Sequence, residues 1–430
     1  MSDDRHEVDH PAGSIASLRM DRPQRISEQV WPEGIEPIVS IISWVFNHEK
    51  FLRDAIEGIL MQETTFSVEI ILHDDASTDR SVEIIREYEA KHPMLFRNIL
   101  RRENLWSRGI NVAPEVYGAA RGRFIALCEG DDYWIDPSKL ETQVRLLEGH
   151  PEVSLTFHNA WVRHEDSRKD YFMNYGLDRD DFDFAAMVPR GWFISTASMM
   201  FRRRPEIFPS MFAFTIGGDL VAHLSLALQG RVRYQNFVGS VYRIHEKGAS
   251  FNFRGRGDFF YQRVLPDRIW VYWIFLKVLV QGKGESELRR YIRSMAKLWF
   301  EPMVEIGGES SVPDKRTLQR ELAEVLRKNQ PPCAPEGSLG DSSELQDLIL
   351  EGATDALAMG SALWVRSNAK AGRLLPGMSV VWTGWKRGTL TAREALELFA
   401  KACLWSIAAV VKPARSAATP AGRDAVKPDS

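Results

Sequence analysis

The stretch Phe124-Ile-Ala-Leu-Cys-Glu-Gly-Asp-Asp-Tyr-Trp134 decides the fold. Its first five residues form a short apolar run typical of a buried β-strand, and an acidic turn, residues 129–132, follows at once. A similar arrangement lies upstream, where the apolar run 68–72 ends in the polar turn His73-Asp-Asp-Ala-Ser-Thr-Asp79. Two buried strands that both end in carboxylates predict an acidic edge on one sheet.

The segments around these two strands extend the pattern. Residues 37–43 and 96–100 predict further strands, and apolar residues at helical spacing predict helices after residue 51, after residue 81 and before Ala120. Strands alternating with helices indicate an α/β fold with a mostly parallel sheet and flanking helices. Ligands of such sheets bind outside the carboxyl ends of the strands, where both acidic turns lie.

Composition shifts predict the domain organisation. We expect a flexible N-terminal arm over residues 1–36, an α/β domain over 37–250, a helical extension over 251–328, a Pro/Gly-rich linker over 329–343, a mainly helical C-terminal region over 344–412 and a disordered tail over 413–430.

Charge and cysteine content limit the partners and the compartment. A formal net charge of -3 argues against a nucleic-acid partner. Three widely spaced cysteines, Cys128, Cys333 and Cys403, predict neither disulfides nor a thiolate metal site, so we expect a cytoplasmic protein. The amphipathic residues 392–411 are compatible with peripheral contact on the inner face of the cell membrane, and equally with an ordinary docked helix.

The acidic turns have two interpretations each. Asp131 and Asp132 are hard oxygen ligands suited to Mg²⁺ or Mn²⁺, which can bind a diphosphate, or they lie in a solvated turn. Asp74 and Asp75 would accept hydrogen bonds from a base or ribose at the mouth of a nucleotide cleft. Alternatively, this polar turn simply caps the next helix.

Two further candidates lie downstream. Asp219 opens a helix, where its carboxylate is stabilised in the charged form that a general base requires, but plain capping explains it as well. His245 follows a strand, close to the cations Arg243 and Lys247, which could meet phosphate oxygens. A lone histidine is more often a packing or surface residue.

Taken in order, these segments resemble the inverting nucleotide-sugar glycosyltransferases of family 2, which have the GT-A fold. The matching text is residues 39–43 with 47–52, 71–79, 120–134 and 136–140, and later 198–202, 218–219 and 242–245. The resemblance covers about residues 37–250.

The resemblance implies a role for each candidate. It makes Asp219 the catalytic base and assigns the nucleotide sugar to Asp74, Asp75, Asp131, Arg243 and His245. It assigns a divalent metal, Mg²⁺ or Mn²⁺, to Glu129, Asp131, Asp132 and His245. The sequence departs from the family where Glu129 replaces the usual first Asp and where Leu220 replaces a frequent aromatic residue.

The implied function is transfer of a sugar from a nucleoside-diphosphate sugar, by default a UDP-sugar, to a hydroxyl of a saccharide or lipid-linked acceptor. Bacterial cell-surface polysaccharide or glycoconjugate synthesis is the expected setting. An inactive GT-A-like binding or scaffold protein is the alternative. A nucleotidyltransferase would show a glycine-rich phosphate loop near the first strand, and residues 43–47 contain no glycine.

Overall fold

The computed structural model describes residues 19–204 except 109, 111, 167 and 175, residues 218–248 except 247, residues 265–276 and 284–306, and Leu345 and Leu348. The chain divides into two compact units, residues 1–292 with 326–342 and residues 293–325 with 343–430. The first unit contains all the candidate site residues. The predicted linker, the predicted tail and nearly all of the predicted C-terminal helices lie outside the described residues.

Twelve strands and eight α-helices can be assigned in the described chain. The strands are β1 (Arg19–Arg25), β2 (Val39–Val45), β3 (Glu63–Phe66), β4 (Val68–Asp74), β5 (Ile99–Leu100), β6 (Phe124–Leu127), β7 (Tyr133–Trp134), β8 (Val153–His164), β9 (Tyr171–Phe172), β10 (Asp181–Phe182), β11 (Met200–Arg202) and β12 (Arg231–Ile244). The helices are α1 (Leu52–Leu60), α2 (Ser81–Lys91), α3 (Ala113–Ala119), α4 (Lys139–Gly149), α5 (Phe184–Met187), α6 (Gly218–Gln229), α7 (Leu265–Ile274) and α8 (Glu285–Ile306). None of the described helices is long and apolar enough to cross a membrane.

One large sheet organises the described part of the first unit. Its strand order is β10-β12-β8-β11-β6-β2-β4-β5, with β7 beside β12 and β9 beside β8. The half formed by β6, β2, β4 and β5 is parallel, as the alternation of strands and helices predicts. These strands are rich in Val and Ile and nearly all their residues are buried, as expected for parallel strands covered on both faces.

The other half of the sheet is mixed. Strand β11 pairs antiparallel with both β6 and β8, whereas β8 and β12 run parallel over their whole length. The sequence pattern predicts two short strands, over residues 231–234 and 240–243, whereas in the structure β12 is continuous through both. Register shifts between Gln235 and Ser240 explain this difference, because an irregularity interrupts the alternation of side chains without ending the strand.

Residues 19–36 are not the flexible arm that the sequence predicts. Strand β1 pairs antiparallel with β3, and Ile26 directly after it is fully buried. The Ile26 amide donates to the Gln62 carbonyl at 2.8 Å. The polar composition of β1 hides this strand, because its residues are largely exposed while a single isoleucine anchors it.

A buried polar cluster joins the amino-terminal ends of the parallel strands. Ser40 donates to Glu69 at 2.6 Å, and Glu69 accepts from the Arg121 amide at 2.7 Å and from its guanidinium at 2.9 Å. At Gly122 a Cβ would lie 2.4 Å from the Ser40 nitrogen, so only glycine fits. This edge is structural, and the acidic turns lie at the opposite edge.

Candidate active site

The end of strand β2 brings the two acidic turns together. The Gly130 amide donates to the Trp44 carbonyl at 2.9 Å, and the Asp75 amide donates to the Val45 carbonyl at 3.0 Å. Because β2 lies between β4 and β6, the turns that follow all three strands share one edge of the sheet. This confirms the acidic edge that the sequence predicts.

Two residues at this edge have unusual backbone conformations. Asn47, after β2, and Ala76, after β4, adopt positive φ angles of 56° and 62°. Asn47 is tied to the second turn, since its amide donates to the Ser77 hydroxyl and its side chain accepts from the Thr78 amide, both at 2.8 Å. Positive φ is costly for an alanine, and such conformations concentrate where function requires a defined loop.

Asp131 lies between two histidines. The Nε2 atom of His245 is 3.1 Å from its Oδ2 and the Nε2 atom of His48 is 3.8 Å from the same oxygen. Burial acts to raise the pKa of Asp131, but the two imidazoles outweigh it and hold that pKa below its ordinary value. The Asp131 side chain keeps 18% of its surface exposed, so the carboxylate is ionised and accessible.

Glu129 and Asp219 belong to the same cluster. Burial and then the carboxylates of Asp131 and Asp219 raise the pKa of Glu129 to about 8. Burial together with Asp219 and Glu129 also raises the pKa of the Tyr117 phenol. Only charges that are close in space act on each other in this way. The structure therefore places Asp131 and Asp219 near Glu129.

Asp132 is hydrogen-bonded to the backbone of Arg243. Its Oδ1 accepts the Arg243 amide at 2.8 Å, and burial, followed by Asp131 and Glu129, raises its pKa well above the ordinary value. The Arg243 guanidinium is 5% exposed, pairs with Asp54 and stacks 4.4 Å from the Tyr133 ring centroid. Asp132 and Arg243 thus anchor the acidic turn to strand β12.

Asp74 and Asp75 use their carboxylates to hold neighbouring backbone. Asp74 accepts from the Ser77 amide and hydroxyl within its own turn. Asp75 accepts from the amides of Leu105 at 2.9 Å and Trp106 at 3.0 Å. Both carboxylates are buried at the carboxyl end of β4, where they shape the loops around the cleft.

Asp219 lies in the first turn of helix α6. Its Oδ1 accepts the Leu220 amide at 2.8 Å and its Oδ2 accepts the indole N–H of Trp192. A carboxylate has about four lone-pair positions, so two remain free for a substrate hydroxyl. Capping of α6 and a role as base are therefore compatible.

Sequence reasoning missed two residues of this site. His48 has no metal-ligand spacing to another histidine along the chain, and only the fold places it beside Asp131. Trp192 has no local signal at all, because its partner Asp219 lies 27 residues away. The position of His48 directly after a strand of the parallel half was the one usable signal.

Asp131 and the two histidines beside it offer carboxylate oxygens and imidazole nitrogens, which are donor atoms that divalent cations bind. Among the described residues no group of three or more His, Cys, Asp or Glu side chains is arranged as a complete metal site. Asp131 and His245 supply one carboxylate oxygen and one imidazole nitrogen, which suit Mn²⁺, and Glu129 is adjacent. Diphosphate oxygens and water would complete the coordination.

The mixed sheet, with its acidic turns at the strand ends and Asp219 facing them from α6, defines a protein of the GT-A fold, as the sequence predicts. The comparisons with known proteins supply the family. Residues 40–208 match the model of glycosyl transferase family 2. The match identifies residues 40–208 as a domain similar to glycosyltransferase family 2.

Two curated relatives illustrate the similarity. An uncharacterized protein of Mycobacterium tuberculosis is 41% identical over 211 residues, which are 49% of this chain and 60% of that protein. An Escherichia coli UDP-Glc:alpha-D-GlcNAc-diphosphoundecaprenol beta-1,3-glucosyltransferase, WfaP, is 25% identical over 217 residues, 50% of this chain and 80% of that protein. The chain thus spans about 60% of the length of its mycobacterial relative.

Two solved structures have a similar fold over most of their length. Staphylococcus aureus TarS 1-349 in complex with UDP-GlcNAc has a TM-score of 0.49 and 12% identity, covering 75% of this chain and 91% of that one. The mannosyltransferase PcManGT from Pyrobaculum calidifontis, in complex with GDP-Man and Mn²⁺, has a TM-score of 0.42 and 16% identity, covering 77% and 92%.

Proposed function

We propose that this protein is an inverting glycosyltransferase that moves a sugar from a UDP-sugar to a hydroxyl group of a saccharide or lipid-linked acceptor. The observation that carries the proposal is the position of Asp131 beside His245 at 3.1 Å and His48 at 3.8 Å, at the shared edge of the parallel strands. We assign the donor diphosphate to Asp131, which is flanked by His245 and His48. We assign deprotonation of the acceptor hydroxyl to Asp219, in the first turn of helix α6.

The reaction requires one base. The acceptor oxygen attacks the anomeric carbon, the bond from that carbon to the diphosphate oxygen breaks, and the hydroxyl proton passes to Asp219. The nucleoside diphosphate leaves with the electron pair of the broken bond. A single base on the face opposite the leaving group implies inversion at the anomeric carbon.

Asp131 and His245, with Glu129, are the residues we propose to hold Mg²⁺ or Mn²⁺. Held there, the ion would supply positive charge that stabilises the leaving diphosphate. Asp132 and Arg243 contribute indirectly, since their mutual hydrogen bond of 2.8 Å fixes the acidic turn against β12. Asp74 and Asp75 hold the loops that line the nucleotide side of the cleft.

The name of the Escherichia coli relative supports the choice of UDP-sugar and of a lipid-linked acceptor. Such an acceptor lies at a membrane surface, so we also propose peripheral contact with the inner face of the cell membrane. Synthesis of a cell-surface polysaccharide or glycoconjugate is the corresponding role.

Replacement of the base tests the proposal. The full chain is assayed for transfer from UDP-glucose and other UDP-sugars, with Mn²⁺, to a diphosphate-lipid-linked N-acetylglucosamine. Asp219→Asn should lower the transfer rate by about 10²- to 10⁴-fold, because general base catalysis contributes that much. Asp180→Asn, at an exposed carboxylate, is the matched control and should retain full activity.

Two results would contradict the proposal. Full activity of Asp219→Asn would remove Asp219 as the base. An unmodified protein that transfers no sugar from any UDP-sugar would favour the inactive scaffold.

A further inference from the structure

The base candidate Asp219 is held by a tryptophan from another part of the chain. The indole N–H of Trp192 donates to Asp219 Oδ2, which leaves Oδ1 to accept the Leu220 amide at 2.8 Å. Trp192 is half-buried, and its ring packs on Tyr242 with centroids 5.5 Å apart. Tyr242 belongs to β12, the strand that leads to His245 and thus to Asp131.

The loop that carries Trp192 is fixed on both sides. On one side, Gly191 has a φ of 57°, and a Cβ there would lie only 2.5 Å from the Tyr291 hydroxyl oxygen. On the other side, the Asn174 side chain donates to the Phe193 carbonyl at 2.7 Å, and the Asn174 amide donates to Asn159 at 2.8 Å. The indole therefore approaches Asp219 from a rigid support.

The position of Asp219 makes such support necessary. An aspartate in the first turn of a helix can rotate towards the free amides of its own helix and cap them. The Leu220 amide already binds Oδ1 in this way. The indole N–H holds the second oxygen, so the carboxylate keeps one orientation.

We propose that Trp192 is a positioning residue for the sugar-transfer reaction, which aims the Asp219 carboxylate at the acceptor hydroxyl through its indole N–H. This inference rests on the proposed function. It predicts an effect on the chemical step, because Trp192 touches the base and has no contact with Asp131, His245 or His48 among the contacts of the described residues.

The test compares two tryptophans that each donate to a carboxylate. Trp192→Phe keeps an aromatic ring on Tyr242 but removes the N–H. Trp161→Phe is the matched control, because the indole of Trp161, on strand β8, donates to the Asp170 carboxylate at 3.3 Å. Loss of a hydrogen bond to a charged group in the transition state lowers a rate constant by about 10- to 100-fold. We expect kcat for transfer from UDP-glucose to fall by about that factor in Trp192→Phe and to stay unchanged in Trp161→Phe.

Three further measurements separate positioning from a structural role. The KM for UDP-glucose and the affinity for UDP with Mn²⁺, measured by calorimetry, should be unchanged in Trp192→Phe. Trp192→His, which retains a ring N–H, should recover part of the lost kcat, and it also serves as the second variant if Trp192→Phe folds poorly.

An unchanged kcat in Trp192→Phe would overturn the inference, as would an equal loss of UDP binding. Asp219→Asn in the same assay keeps the two proposals apart. If Asp219→Asn is inactive while Trp192→Phe is fully active, only the positioning role fails. If Asp219→Asn is fully active, the proposed function fails.

Discussion

At the residue scale, neighbours in sequence occupy different electrostatic environments. Asp131 is ionised beside two histidines, whereas the pKa of Glu129 is raised to about 8 by burial and by Asp131 and Asp219. Without a cation nearby, burial and these charges favour the neutral form of Glu129, and holding Mg²⁺ or Mn²⁺ would require its ionised form. Burial and neighbouring charges thus distinguish carboxylates that lie two residues apart in the turn.

A buried lysine lies behind the same turn. Lys139 is fully buried, donates to Gln143 at 2.7 Å and lies 4.1 Å from the Trp134 ring centroid. Burial lowers its pKa from 10.5 to about 7. Between pH 7 and pH 10.5 the Lys139 side chain binds a proton in the unfolded chain but not in the folded one. The free energy of unfolding is therefore highest above pH 10.5 with respect to this group, and it decreases as the pH falls towards 7.

Lys139→Met should remove this pH dependence. The free energy of unfolding of the unmodified protein should rise relative to that of Lys139→Met by about 1.4 kcal/mol per pH unit above pH 7. Urea unfolding at three pH values across that window measures the difference. Lys169→Met, at an exposed lysine, is the control and should show no such trend. Parallel pH profiles of Lys139→Met and the unmodified protein would contradict the lowered pKa.

At the element scale, strand β1 and the residue after it belong to the folded domain. Ile26 is fully buried in the core that also contains Phe66 and Leu140. Ile26→Ala should lower the free energy of unfolding by about 2–5 kcal/mol, because it leaves a cavity in a packed core. The urea unfolding midpoint, at an unchanged slope, measures the loss.

Val30→Ala is the control for this change. Val30 is 87% exposed and lies a few residues further along the chain, so its truncation should cost less than about 0.5 kcal/mol. Equal stabilities of Ile26→Ala and Val30→Ala would show that residues 19–36 contribute nothing to the fold, as a flexible arm would.

At the scale of the whole molecule, a bound nucleotide should stabilise the folded state. With Mn²⁺ present, UDP at 100 times its dissociation constant should raise the free energy of unfolding by about 2.7 kcal/mol through mass action. Thermal unfolding with UDP, with Mn²⁺ and with both measures this effect. Asp131→Asn should remove the part that requires Mn²⁺, because it exchanges a charged oxygen ligand for a neutral amide.

Asp180→Asn, away from the cleft, should respond to UDP and Mn²⁺ as the unmodified protein does. If Asp131→Asn kept the full Mn²⁺-dependent rise in melting temperature, the cation would be held elsewhere. Because this measurement needs no acceptor, it tests donor binding separately from transfer.

The sequence by itself determined the parallel half of the sheet and the location of the carboxylates at its strand ends. These features depend on residues that are neighbours along the chain: an apolar run buries a strand, and the polar turn after it ends that strand. The order of these segments also carried the resemblance to family 2, which the family match over residues 40–208 confirms.

Only the tertiary structure decided which of these side chains meet. His245 contacts Asp131 from 114 residues away, and Trp192 reaches Asp219 from 27 residues away. The tertiary structure also decides the pairing of β1 with β3 and the hydrogen bond between Asp132 and the Arg243 amide. The physical reason is that strand register and the packing of distant loops set these distances, and neither leaves a pattern in the local sequence.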